Sequence, residues 1–133
     1  MKTIFITIAL SIMSLFTMAQ NSLKIEITSL KTNSGTVMIQ LYDANEELIQ
    51  ETKGKVNELK CYVKFSNLPS GNYAVKYYHD ENDNGEMDTG MFGRPEEGYG
   101  YSNDARGFMG PADFEDQIFE IKGDTKITLK TVL

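Results

Sequence analysis

The stretch Asp80-Glu81-Asn82-Asp83-Asn84-Gly85-Glu86-Met87-Asp88 places an oxygen-bearing side chain at alternate positions and matches the pattern D-x-[DN]-x-[DN]-G-x-x-D. Calcium is a hard cation that takes roughly six to eight oxygen ligands, and a curling backbone can aim alternate side chains at one centre. On that pattern Asp80, Asn82 and Asn84 supply side-chain oxygens and Gly85 allows the sharp turn that follows. Glu86 offers its main-chain carbonyl, and Asp88 binds directly or through water. The twelfth loop position, which carries a bidentate carboxylate in an EF-hand, is Met91. A β-type run precedes the loop, and Gly90, Gly93 and Pro95 follow it, so paired helices are not expected. The expectation is a calcium loop on a β scaffold, its missing carboxylate supplied by Glu96, Glu97 or Asp104. The competing reading is a hairpin in which Asp and Asn form Asx-turns around Gly85.

Other chemistries have fewer residues to draw on. His79 is the only histidine, so a histidine-rich zinc or copper site is excluded by count. A nucleophilic arrangement would have to pair it with Cys61 or Ser102, giving a hydrolase that uses His79 with loop carboxylates. His79 continues the alternation of Tyr73, Val75 and Tyr77, which favours a packed residue at a strand end. Cys61 is the single cysteine, sits in an alternating apolar run, and reads as a small buried hydrophobe with no disulfide partner.

Charge narrows the partners. The 133 residues carry a net charge of −6, with eight acids and one base, Arg94, between residues 80 and 104. That concentration repels nucleic acid and anionic lipid and favours cations.

The elements that must hold this loop read as strands. Leu23-Ile25-Ile27, Val37-Ile39-Leu41, Leu59-Cys61-Val63-Phe65, Tyr73-Val75-Tyr77-His79, Phe119-Ile121 and Ile127-Leu129-Thr131 all alternate with a period of two. A weaker run covers Glu47 to Gln50, and Asn33-Ser34-Gly35 marks a turn. About seven short strands predict an all-β antiparallel sandwich, Ig-like or prealbumin-like. From Asp80 to about Asp116 neither periodicity persists, and this segment holds seven of the 11 glycines. Phe92, Tyr99, Tyr101, Phe108 and Phe114 punctuate it, so an ordered functional loop is expected.

The N-terminus has the form of a secretory signal peptide: Met1-Lys2, an apolar run from Ile4 to Phe16, and small residues before a cleavage site after Ala19. The apolar run is short for a membrane span. The expected organisation is a leader over residues 1–19 and one domain over 20–133, exported to the periplasm or beyond, with no membrane span in the mature form.

The run Phe65-Ser-Asn-Leu-Pro-Ser-Gly-Asn-Tyr73 resembles the strand–turn–strand of transthyretin-like sandwich modules. His79-Asp-Glu-Asn-Asp-Asn-Gly-Glu-Met-Asp88, Phe92-Gly-Arg-Pro-Glu-Glu-Gly-Tyr-Gly-Tyr-Ser-Asn103 and Gly110-Pro-Ala-Asp-Phe114 together resemble the exported bacterial family catalogued as domain of unknown function 2141. The resemblance spans essentially the whole mature chain and implies a secreted or periplasmic β-sandwich without an assigned activity. The Asp-x-Asn-x-Asn-Gly-x-x-Asp portion also looks like the calcium loops of surface-adhesin sandwich repeats. The combined expectation is a non-enzymatic, calcium-stabilised binding module. Its surface would carry His79, Arg94, Tyr99, Tyr101 and Asn103 toward a glycan or protein of the envelope or exterior. Phe108 and Phe114 are expected as local core. A hydrolase built on His79 and a purely structural module are the alternatives.

Overall fold

The computed structural model describes residues 20–90, 93 and 95–132. The leader expected over residues 1–19 lies outside the described residues, as do Met91, Phe92 and Arg94.

Among the described residues eight strands form two sheets: β1 (Asn21–Thr28), β2 (Thr36–Asp43), β3 (Leu48–Lys55), β4 (Cys61–Leu68), β5 (Gly71–Asp80), β6 (Tyr99–Tyr101), β7 (Phe119–Ile121) and β8 (Thr125–Lys130). The smaller sheet runs β4-β1-β8, and the larger runs β3-β2-β5-β6 with β7 also pairing β5. The fold is an all-β sandwich. Every strand pairing is antiparallel except β1 with β8, which is parallel. β8 arrives from β7 on the opposite sheet, so no hairpin constrains its direction.

The alternating residues meet between the sheets. Leu23, Ile25, Ile27, Val37, Ile39, Leu41, Phe65, Val75, Tyr77, Ile121 and Leu129 form one buried cluster. Burying each such side chain contributes about 1.5–3 kcal/mol. β3 has almost nothing apolar to bury, and the sheets approach across Gly54 instead. A Cβ there would lie 2.3 Å from Cys61 Sγ. Cys61 is accordingly fully buried, and the loss of water around the thiol pushes its pKa up to about 11.

Pro69-Ser70 carries the chain from β4 in one sheet to β5 in the other, and the Tyr73 hydroxyl donates to the Pro69 carbonyl at 2.5 Å. Within the long connection the structure adds β6, a 3-10 turn at Ser102–Asp104 and a short helix α1 (Phe114–Gln117). Ser102 fixes this region from the inside: its hydroxyl accepts the Val75 N–H at 2.9 Å and donates to the Gln117 carbonyl. Among the described residues no helix is long and apolar enough to cross a membrane.

Candidate functional site

β5 ends at Asp80, so the sheet itself launches the acidic loop. Asp80 is buried, and its two oxygens accept the backbone N–H groups of Gly85 at 2.8 Å and Asn84 at 3.2 Å. Gly85 takes φ of +82°, a region that a Cβ disfavours. Asn82 Oδ1 accepts the Asn84 N–H at 3.3 Å, and Asn84 Oδ1 accepts the Glu86 N–H at 3.0 Å. These are Asx-turns, the local chemistry that Asp and Asn prefer around glycine.

The same two asparagines then turn inward. Asn82 Nδ2 donates to Asp88 Oδ2 at 2.6 Å and Asn84 Nδ2 donates to Asp88 Oδ1 at 2.7 Å. Loop positions three, five and nine therefore converge, while position one stays behind them and holds the backbone. Glu97 braces the loop from the other side. It is 3% exposed, and its oxygens accept the N–H groups of Asp88 and Glu81. The Glu96 N–H donates to the Asp88 carbonyl at 2.8 Å, and Thr89 bridges Pro95.

The β1–β2 turn docks on this loop. A Cβ on Gly35 would lie 2.1 Å from the Asp80 carbonyl oxygen, and Thr36 Oγ1 donates to Asp83 Oδ1 at 2.7 Å. Beside it an open cavity of about 380 Å³ is lined by Lys31, Glu81, Asn82, Asp88, Glu96 and Glu97. The lining thus brings four acidic residues and one lysine together, and among the described residues Glu81 Oε1 is buried without a hydrogen-bond partner. Tyr78, whose hydroxyl donates to the Gly85 carbonyl at 3.3 Å, has its pKa raised by burial and then by Asp80 and Glu97. Among the described residues no three His, Cys, Asp or Glu side chains stand together as a ready-made metal site.

The geometry gives each expected ligand a place. Asp80 and Glu97 were expected as ligands aimed at the centre, but their carboxylates are turned to backbone N–H groups. Those donors are left over where the strand ends, and they must be satisfied once buried. Glu96 lines the cavity without joining the Asn82–Asn84–Asp88 cluster. Glu86 is exposed, and its N–H closes an Asx-turn.

His79, expected on the binding surface, is fully buried because it continues the inward side of β5. Its Nε2 lies 2.6 Å from the Ser34 carbonyl, and among the described residues Nδ1 has no partner. Ser102 is bonded to Val75 and Gln117 and Cys61 lies against Gly54, so neither is hydrogen-bonded to His79. Asn103 is exposed but committed: its amide donates to the carbonyls of Asp116 at 3.1 Å and Ile118 at 2.8 Å. Phe108, expected as local core, is 94% exposed. Phe114 is half-buried, with the Lys76 ammonium 5.5 Å above its ring.

Tyr99 and Tyr101 do stand half-exposed together, their rings 6.0 Å apart and edge to face. The sequence reading missed Lys31 and Glu81 at the cavity. Glu81 occupies a non-ligand position of the pattern, and Lys31 arrives from a distant turn that no spacing rule connects to it.

A two-sheet β-sandwich with an acidic loop braced at one end is the class of protein that this fold and site define. The family model described as "Uncharacterized protein conserved in bacteria (DUF2141)" matches residues 25–128, and the chain belongs to that family. No curated protein and no solved structure matches it.

Proposed function

We propose that this chain is an exported, non-enzymatic binding module whose acidic loop takes a calcium ion. The observation that carries the reading is the convergence of Asn82 and Asn84 on both oxygens of Asp88. The amide hydrogens there satisfy both Asp88 oxygens within the loop but leave the negative charge unmatched. Rotation of the two amides about Cβ–Cγ would present Oδ1 atoms in their place, and a cation then supplies the missing positive charge. Glu81 and Glu96, which line the cavity beside Asn82 and Asp88, offer carboxylates to complete a shell. Asp80 and Glu97 act as braces that hold the ligands. Export is supported by the leader pattern over residues 1–19.

The Asx-turns that close the loop on itself favour a second reading, an ion-free cover for the sandwich end. Thermal melts of the 20–133 chain distinguish the two. A ligand that prefers the native state stabilises it by about 2.7 kcal/mol at one hundred times its dissociation constant. Millimolar calcium is expected to raise the melting temperature by several degrees, and chelator to reverse this. Asp88→Ala is expected to abolish the response. A melting temperature indifferent to both additions sinks the calcium reading.

A further inference from the structure

The outer face of the larger sheet carries a second concavity, distinct from the acidic cavity. Cross-strand pairing sets Gln40, Lys76 and Tyr101 in one row, and Tyr78 and Tyr99 in the next. Side chains at alternate positions share a face of a sheet, so these five residues point the same way. Gly100, between the two tyrosines, faces the opposite side, where a Cβ would lie 2.3 Å from the Tyr77 hydroxyl. The glycine lets β6 lie close on β5 and lifts Tyr99 and Tyr101 as two walls. Met87, from the acidic loop, forms a third wall. The groove is open to solvent on one side and has a volume of about 170 Å³.

We infer that this groove binds one pyranose ring of a saccharide. Volume supports a ring of that size: an engineered cavity of about 150 Å³ accommodates benzene. The lining supports a ligand with both apolar faces and hydroxyl edges. Tyrosine rings offer apolar surface together with a hydroxyl that can hydrogen-bond. Among the described residues no side chain takes the Tyr99 or Tyr101 hydroxyl, so both can exchange hydrogen bonds with a ligand. Gln40 Oε1 already accepts from Tyr42 at 2.8 Å, which fixes the amide and leaves its Nε2 as a donor. Lys76 is held by Glu46 at 2.9 Å and lies 4.6 Å over the Tyr42 ring. Its charge is therefore matched within the protein, and the groove selects a neutral ligand. A wholly apolar peptide side chain would leave the amide of Gln40 and the tyrosine hydroxyls to be covered without partners, which is unfavourable.

The groove stands apart from the cation reading, although Met87 belongs to the same loop as Asp88. The test uses the 20–133 chain with its methionine methyls labelled for NMR, and follows tyrosine emission, which no tryptophan obscures. The probes are the methyl glycosides of glucose, galactose and N-acetylglucosamine, and the N-acetylglucosamine tetramer. At least one is expected to shift the Met87 methyl resonance saturably at millimolar concentration. Tyr99→Leu and Tyr101→Leu, which keep apolar bulk on the sheet, are expected to weaken that binding about tenfold or more. Tyr62→Ala, on the other sheet, is expected to leave it unchanged. Should Tyr99→Leu fail to fold, Gln40→Ala gives the same reading. Failure of all four saccharides to move Met87 overturns the inference. So does binding indifferent to the groove variants, or selective binding of a leucine-rich peptide. Equal saccharide binding in calcium and in chelator would leave the groove intact and count only against a cation effect on it.

Discussion

The carboxylate of Glu97 accepts the backbone N–H of Asp88 at 2.8 Å and, through its other oxygen, the N–H of Glu81 at 2.5 Å. One buried side chain thereby ties together the two ends of the acidic loop. Its removal strands two donors that solvent reaches poorly, each worth about 1–3 kcal/mol when unsatisfied. Glu97→Ala is expected to speed amide exchange at Glu81 and Asp88 by roughly thirtyfold, equivalent to about 2 kcal/mol of local protection. Hydrogen exchange followed by NMR checks this, and unchanged rates at both amides would show that the brace is dispensable.

His79 is fully buried, with Nε2 against the Ser34 carbonyl at 2.6 Å. Truncation leaves a cavity and strips that carbonyl of its partner, so His79→Ala is expected to lose about 2–4 kcal/mol of stability. A hydrolase built on His79 requires the reverse, a variant with a nearly unmoved melting temperature and no turnover. Circular dichroism melts decide between the two.

The legibility of this chain tracks how one-sided each element is. β1, β2 and β5 bury one face completely, so Leu23-Ile25-Ile27, Val37-Ile39-Leu41 and Tyr73-Val75-Tyr77 declare themselves by period. β3 is a polar edge whose inward residues are Gln50, Thr52 and Gly54, which leaves no apolar alternation to detect. β6 is three residues long with Gly100 at its centre, too short and too bare for any pattern. In the loop, spacing predicts that the oxygens of Asp80, Asn82, Asn84 and Asp88 gather around a cation, and the structure joins the last three through amide-to-carboxylate hydrogen bonds. Spacing could not show that the Asp80 and Glu97 carboxylates would be taken by backbone N–H groups, because those donors become orphans only when the loop folds. His79 was legible as a packed residue from its phase on β5, and the surface role assigned to it ignored that phase.

Gly54 and Cys61 set the distance between the two sheets at their edge. A Cβ on Gly54 would lie 2.3 Å from Cys61 Sγ and 2.8 Å from Val63 Cγ1. Gly54→Ala is therefore expected to destabilise by about 1–3 kcal/mol through overpacking. In the Gly54→Ala/Cys61→Ala pair the new methyl occupies space that the sulfur vacates, although Val63 still resists. A double-mutant cycle from urea midpoints is expected to give a favourable coupling of about 1 kcal/mol. Strict additivity would mean that the backbone, and not the thiol, absorbs the added carbon.

Two buried weak acids, Cys61 and Tyr77, are expected to contribute to the loss of stability at alkaline pH, beside Tyr73, Tyr78 and Tyr101, whose pKa values burial also raises. Burial pushes the Cys61 thiol from an ordinary 9.0 up to about 11. Tyr77 moves from 10.0 to about 12, raised first by burial and further by Asp104, against the opposing hydrogen bond with Thr131. In each case the folded pKa exceeds the unfolded one, so above the unfolded value the native state binds more protons than the unfolded chain. Stability must then fall with rising pH. The contribution of Cys61 is complete below pH 9.0 and is lost toward pH of about 11. That of Tyr77 is complete below pH 10.0 and is lost toward pH of about 12. A shift of two units corresponds to about 3 kcal/mol for each group once its window is crossed. Urea midpoints are expected to decline continuously across this range, and each variant below is expected to make its own part of the decline shallower. Cys61→Ala makes the decline from pH 9.0 toward pH of about 11 shallower, and Tyr77→Phe does the same from pH 10.0 toward pH of about 12. An alkaline limb of unchanged slope in Cys61→Ala would place the lost stability in other groups. A native thiol that reacts with alkylating reagent at the rate of the unfolded chain would contradict the burial of Cys61 directly.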